Sequence, residues 1–214
     1  MKEQNHFLIA APRLPKEPAA VKPAGPVQDD DSYSDCLIEH GAFSGEARHV
    51  NFLRAALRGV RFEASLRAAE FEDVLFEGCD LSNVDLSDAI LLRTAFVDCR
   101  MTGVNFSGAV LRDTAFENSM TKYASFRFAR FDRAAFTGCN CTSADFEEVS
   151  FTKTRFAQTS LRQVQMSGTA LANIDLTSCD IDGLGARPED LRGAVLTPEQ
   201  AITAAKIIGV VIRF

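Results

Sequence analysis

Apolar residues recur along this chain at every fifth position, a spacing that belongs to neither a helix nor a plain strand. Between Leu66 and Ile181 this register holds 24 positions, of which 22 are Phe, Leu, Met or Ile, the exceptions being Thr121 and Cys141. Two residues ahead of each stands a second register, from Ala64, Ala69, Val74 and Cys79 to Cys179, filled by Ala, Val, Cys, Thr or Ser except at Ile174. On a helix, residues five apart are rotated by roughly 140°; on a strand they fall on opposite faces. The chain must therefore turn once per repeat. Residues two apart on an extended segment share a face, so the small and the large residue point inward and the one between them outward. The remaining two residues make a corner. Gly, Asn, Asp or Ser fills the second corner position in 15 of the 24 repeats, as turns require.

Repeats such as Val84-Asp85-Leu86-Ser87-Asp88 and Ala144-Asp145-Phe146-Glu147-Glu148 resemble those of the pentapeptide repeat family. That resemblance implies an all-β fold, a right-handed quadrilateral β-helix with four repeats to a coil. The 24 repeats then make six coils, and stacking at about 4.8 Å gives a rod of roughly 29 Å. Two irregularities stand out. Phe52, Leu57 and Phe62 keep the spacing but Leu66 follows after four residues, which predicts a shortened corner. From Met120 to Phe128, Thr121 replaces a large core residue while Tyr123 and Phe128 fall on outward corners, a bulge or a contact surface.

Five of the seven prolines lie in residues 1–35, ahead of Asp29-Asp30-Asp31, a composition that predicts an extended or disordered arm. The solenoid is expected over residues 36–196, with an irregular cap over 36–50 to cover its open end. Gly183 to Pro188 is read as a break in the coil. Thr197-Pro198-Glu199-Gln200 reads as a helix start, with Thr197 as N-cap and Gln200 completing a capping box. This helix should end near Ile208 before Gly209, and Val210-Val211-Ile212 is strand-like. The tail from Leu191 is similar to that of the quinolone-resistance branch of the family. The resemblance implies end-to-end dimerisation through residues 197–214, with contacts at Ile202, Ile207, Ile208, Val210 and Ile212.

With 29 acidic against 23 basic residues and a net charge of -6, the chain is not built for nonspecific attraction to nucleic acid or an anionic membrane. No stretch approaches the roughly 18 apolar residues of a membrane helix, and Phe7 to Ala11 is too short for a signal-peptide core. A cytoplasmic protein is expected, with neither nucleic acid nor membrane as partner.

Enzyme chemistry finds no foothold. His6, His40 and His49 precede the repeats without nucleophile or metal-ligand spacing. Carboxylates on a convex rod have no pocket to shift their pKa, and the glycines fall singly at corners. No catalytic residue, cofactor or metal is predicted. Cys79, Cys99, Cys139 and Cys179 are 20, 40 and 40 residues apart, which places them in one interior column as small core residues and free thiols.

The quinolone-resistance resemblance implies a DNA-mimicking rod that binds DNA gyrase or topoisomerase IV and protects it from poisons, in antibiotic resistance or self-immunity. Residues 70–98 carry Glu70, Glu72, Asp73, Glu77, Asp80, Asp85, Asp88 and Asp98 against one base, Arg93, and are expected to form the acidic face. The middle of the rod instead gathers Lys122, Arg127, Arg130, Arg133, Lys153 and Arg155. The alternative is a structural adaptor that binds another protein through Tyr123 and Phe128 or through the arm.

Overall fold

A computed structural model describes residues 8–23 and 25–213. The chain winds into a parallel, four-sided β-solenoid closed at its C-terminal end by one short helix. Its strands are β1 (Ala19–Ala20), β2 (Ser32–Ser34), β3 (Cys36–Glu39), β4 (Ala42–Arg48), β5 (Asn51–Arg58), β6 (Arg61–Arg67), β7 (Glu70–Glu77), β8 (Ile90–Val97), β9 (Val110–Glu117), β10 (Arg130–Thr137) and β11 (Ser150–Ala157). From β7 onward each strand pairs in parallel with the next at an offset of twenty residues, as in Phe76↔Phe96 and Phe96↔Phe116.

Four sides repeat per coil. In the coil that starts at Cys79, side A is centred on Asp80, side B on Asp85, side C on Ile90 and side D on Ala95. Sides C and D run together as the long strands, while A and B are held by single parallel bridges such as Asp80↔Arg100 and Asp85↔Asn105. The outward Asp or Asn of the repeat shapes the corner after it. Asp80 Oδ1 accepts from the Ser82 N–H at 3.0 Å and the Ser82 hydroxyl at 2.6 Å, and Asn105 and Asn140 do the same for Ser107 and Thr142. These Asx turns supply the bend locally. The second corner residue then sits at positive φ, as at Asn83 and Asp88.

Interior volume is shared out coil by coil. Sides B and D stack phenylalanines along the axis, with ring centroids 4.6 Å apart for Phe126–Phe146 and 4.5 Å for Phe116–Phe136. Two consecutive coils carry three rings each: Phe126, Phe131 and Phe136, then Phe146, Phe151 and Phe156. The fourth inward residue of these coils is Thr121 or Cys141, both fully buried. The flanking coils are lined by Met101, Phe106, Leu111 and Phe116 on one side and by Leu161, Met166, Leu171 and Leu176 on the other. In these twenty-residue coils the two exceptions to the apolar register are small residues set beside three rings, which holds the filled volume down; the nineteen-residue coil of Phe62, Leu66, Phe71 and Phe76 accommodates three rings with a leucine.

The shortened corner is present. No residue between Gly59 and Ala68 takes positive φ, so β6 runs straight through the place where sides A and B would meet, and it pairs residue for residue with β4. Early coils therefore have nineteen residues, as in Phe52↔Phe71.

At both ends the structure departs from the sequence reading. Residues 36–50 are regular coil, not an irregular cap, and pairing begins at β1, where Ala19 faces Cys36. Val27 is buried in the core, so only residues 8–18 remain as an extended arm. The nineteen-residue coils slip the five-residue phase by one residue in each coil, at Phe43 to Ala47 and Phe62 to Leu66, and this hides their start from a periodicity search. Nor does Gly183 to Pro188 interrupt the coil: Gln165↔Gly185 and Asp175↔Val195 keep the twenty-residue offset. Helix α1 (Pro198–Ile207) starts at the expected capping box, with Thr197 and Gln200 satisfying each other's backbone N–H. Gln200 Nε2 also donates to the Leu176 and Cys179 carbonyls, both at 2.8 Å, and so ties the helix to the last coil. Val210 to Ile212 form no strand; the Val210 N–H instead donates to the Ala205 carbonyl at 3.0 Å, folding back on the end of the helix.

Candidate protein-binding surface

The eight acids of residues 70–98 do not make one face. A coil is twenty residues long, so this segment covers more than a full circuit: Asp80 lies on side A, Asp85 on B, Glu70 on C, and the other five at corners. Most are also neutralised. Arg93 binds Asp73 and Glu72, each at 2.6 Å, and Arg58 holds Glu77 at 2.9 Å. Arg100 lies 3.9 Å from Asp80, and Arg67 lies 3.9 Å from both Asp85 and Asp88. Asp73 is only 5% exposed. Burial alone would raise its pKa, but the Arg93 guanidinium and the Arg13 backbone N–H outweigh that and hold the carboxyl below its usual range.

The corner between sides C and D explains much of this pairing. It reads Asp35, Arg54, Asp73, Arg93, Asp113, Arg133 and Lys153 along the axis, so acids and bases alternate from coil to coil as far as Arg133. Arg54–Asp35, Arg93–Asp73 and Arg133–Asp113 close at 2.6, 2.6 and 2.7 Å. Arg133, expected to add to a basic middle, is spent on this ladder.

Side B is different. Along its centre line stand Asp85, Asn105, Ser125, Asp145 and Gln165, with no base among them. Asn105 Nδ2 donates to Asp85 Oδ1 at 2.9 Å, and the Ser107 and Ser125 hydroxyls are 2.9 Å apart, so neighbouring coils are cross-linked on this surface. Glu147 and Glu148 add acid at its border with C. Arg127 crosses that border, at 2.5 Å from Glu147 and 3.1 Å from Asp145.

Tyr123 and Phe128 stand at the two edges of side B in one coil, 65% and 57% exposed. Both occupy the left-handed corner, at φ 57° and 60°, a conformation disfavoured for bulky side chains. One coil earlier these corners are Gly103 and Gly108, so no side chain crowds the rings from that direction. The Arg127 guanidinium lies 5.5 Å from the Phe128 centroid, and Met120, on side A beside Tyr123, is 41% exposed. The bulge expected here is absent: Ser125 keeps register with Asn105 and Asp145. The rings are placed outward by an unbroken coil, at corners where the fold also holds other bulky residues such as Arg93, Arg133 and Lys153 in the left-handed conformation; what sets Tyr123 and Phe128 apart is their exposed aromatic surface.

At the C-terminal end, Ile208 and Val210 are exposed, Ile202 and Ile212 half-buried, and Ile207 packs on the core. Val211 is 82% exposed, so exposed apolar residues cluster at the C-terminal end of the helix, while Val195, 44% exposed, precedes its start.

His6 lies outside the described residues, and His40 and His49 are exposed corner residues at positive φ. Cys79, Cys99 and Cys139 each donate a thiol to a backbone carbonyl, those of Leu57, Phe76 and Phe116, and Ser119 and Thr159 take the same interior column. Burial pushes the Cys139 thiol up to about 11, which keeps it protonated and unreactive.

Two family models match the chain, one described as a pentapeptide repeat region over residues 69–132 and the other as pentapeptide repeats over 139–177. Solved structures similar to it include that of QnrB1, a plasmid-mediated fluoroquinolone resistance protein, at 18% identity over 92% of this chain and 98% of that one, with a TM-score of 0.41. Another is a pentapeptide repeat protein from the Arabidopsis thaliana thylakoid lumen, at 24% identity over 60% and 75%, TM-score 0.30. A third is HetL, involved in heterocyst differentiation regulation in the cyanobacterium Nostoc, at 15% over 78% and 87%, TM-score 0.23. No curated protein matches the chain. Likeness of this degree carries no argument about partner or activity.

Proposed function

Because this chain belongs to the pentapeptide repeat family, we propose that it is a non-catalytic binding rod that docks side B on a protein, and that the protein is a type II topoisomerase, gyrase or topoisomerase IV. The observation that carries the binding reading is the pair Tyr123 and Phe128, held outward at left-handed corners astride a surface whose centre line bears only acidic and neutral residues. Exposed aromatic residues with a neighbouring arginine are the usual anchors of protein interfaces. Asp85 and Asp145, above and below the rings, each face an arginine, Arg67 at 3.9 Å and Arg127 at 3.1 Å, and a basic partner would have to share or displace those pairings. A DNA-binding saddle is such a surface, and the resemblance of the tail to the quinolone-resistance branch favours it. On this reading the rod competes with DNA and shields the enzyme from poisons.

Purified full-length protein should relieve fluoroquinolone poisoning in a gyrase supercoiling and cleavage assay at low micromolar concentration. Tyr123→Ala/Phe128→Ala should abolish the effect, and Asp85→Asn/Asp145→Asn should weaken it and flatten its salt dependence. Absence of any effect on gyrase and topoisomerase IV sinks the topoisomerase assignment. The adaptor reading then stands, because it rests on the aromatic pair alone, and a partner is sought by pull-down with the double alanine variant as control.

The apolar end around α1 fits a second copy, which would give an end-to-end dimer and offer residues 210–212 an edge. Ile208→Asp should convert such a dimer to monomer in sedimentation equilibrium; an unchanged mass removes the assignment.

A further inference from the structure

One side of the rod is already occupied. The centre line of side D runs Ala95, Ala115, Ala135 and then Arg155, and the three alanines leave a shallow channel along the axis. Residues 8–12 lie in that channel, over a cavity of about 240 Å³ that Thr94 and Thr137 also line. The arm crosses the strands, so it cannot join their ladders, and its hydrogen bonds go instead to the charged corner beside it. The backbone N–H of Ala10 donates to Asp113 Oδ1 at 3.2 Å and that of Arg13 to Asp73 Oδ1 at 3.0 Å. Both carboxylates are more than nine-tenths buried, and each also binds an arginine of the ladder through two oxygens. Two fixed acceptors thus meet two donors three residues apart on an extended segment, above a line of alanines bordered by Thr94, Glu117, Thr137 and Arg155.

We propose that side D is a groove for an extended peptide with small apolar side chains, and that residues 8–13 are its resident occupant, a detachable strap that a partner's segment must displace. Among the described residues the arm's backbone makes two hydrogen bonds to the coils, with Ile9 and Pro12 half-buried and Leu8 88% exposed. Pro12, Pro15 and Pro18 keep the connection to β1 extended. Segments held by so few contacts open locally without unfolding of the whole. Tethering gives the strap an effective concentration on the order of millimolar, so a free competitor must bind better or be abundant.

Thiol labelling tests this in the full chain, since all six native cysteines are buried. Ala115→Cys places a reporter under the strap, and Ala172→Cys places a control on an exposed corner. Ala10→Pro/Arg13→Pro removes both N–H donors from the arm and leaves the coils untouched. Labelling at Ala115→Cys should be at least about tenfold slower with the native arm than with the proline arm, the signature of local opening, while the control reacts equally in both. A synthetic peptide of residues 8–16, added at about 5 mM to match the tethered strap, should restore protection to the proline arm. Equal rates at Ala115→Cys with either arm, or failure of the peptide to protect, overturns the proposal. So does an equal acceleration at Ala172→Cys, which would report general loosening of the solenoid. Gyrase plays no part in these readouts, so the result is independent of the topoisomerase assignment.

Discussion

The two coils from Thr121 to Ser160 and the coils that flank them enclose the same square section with different side chains. The central pair uses three phenylalanines and one small residue in each coil, while the flanks use leucine and methionine with two rings, Phe106 and Phe116, among eight inward positions. Register is identical in both, with Phe116↔Phe136 paired as Phe76↔Phe96 is. A pentapeptide coil thus tolerates any set of four inward residues whose total volume is right, and a deviation at one position is intelligible only beside its three partners. Outside, the central region differs again: it is there that corner positions held between Ala68 and Gly183 by small, polar or charged residues hold the aromatic Tyr123 and Phe128.

The contrast can be tested at both levels. Phe136→Ala should destabilise by about 4 kcal/mol, because it removes a ring stacked on both sides and leaves a cavity in the most rigidly packed coils; denaturant unfolding would measure it. Leu176→Ala, near the helix-capped end, is expected to cost less, about 2.5 kcal/mol, and a larger loss there would mean that the Phe stack is not the stiffest part of the rod. Arg93→Met should cost about 2 kcal/mol by stranding Asp73 without its cation. Asp73 and Asp113 have folded pKa values below their ordinary ones, so their contribution is complete above the unfolded pKa and is lost as pH falls through the folded value. The Arg93→Met variant should accordingly lose less stability on acidification than the native protein.

Thr121→Leu should cost about 2 kcal/mol by overfilling a coil that already holds three rings. Paired with Phe131→Leu, on the opposite side of the same coil, it should cost less than the sum of the two single changes, since the volumes offset. Strict additivity would refute the account of Thr121 and Cys141. The smallest change has the opposite sign. Tyr123→Gly and Phe128→Gly should each stabilise by about 0.5 kcal/mol by relieving the left-handed corner, while removing the docking surface. A loss of stability in both would show that the rings contribute to packing and would weaken their reading as an interface.

Much of the solenoid was legible because its determinants are local. Inward pairs, Asx residues and corner glycines recur within five residues, and Asp80 bends the chain at Ser82 without help from anything distant. The capping box of Thr197 and Gln200 is local in the same way. Where the period slips to nineteen, around residues 36–65, the signal failed although the coil did not, since parallel pairing needs a matched neighbour more than a fixed count. The candidate surface was legible only in part. Tyr123 and Phe128 announced themselves as bulky residues at turn positions, but the run of acids at 70–98 looked like a face only while the chain was read as a line.

From its order of residues alone this chain was bound to coil with four sides, to stack its large side chains inward and to end in a capped helix, because each of those outcomes is decided over a few neighbouring residues. Which charges share a side, which acids are cancelled by an arginine one coil away, and where the arm lies depend on contacts between residues 20, 60 or 103 positions apart. Such contacts form only once stacking has brought the coils together, and no local pattern encodes them.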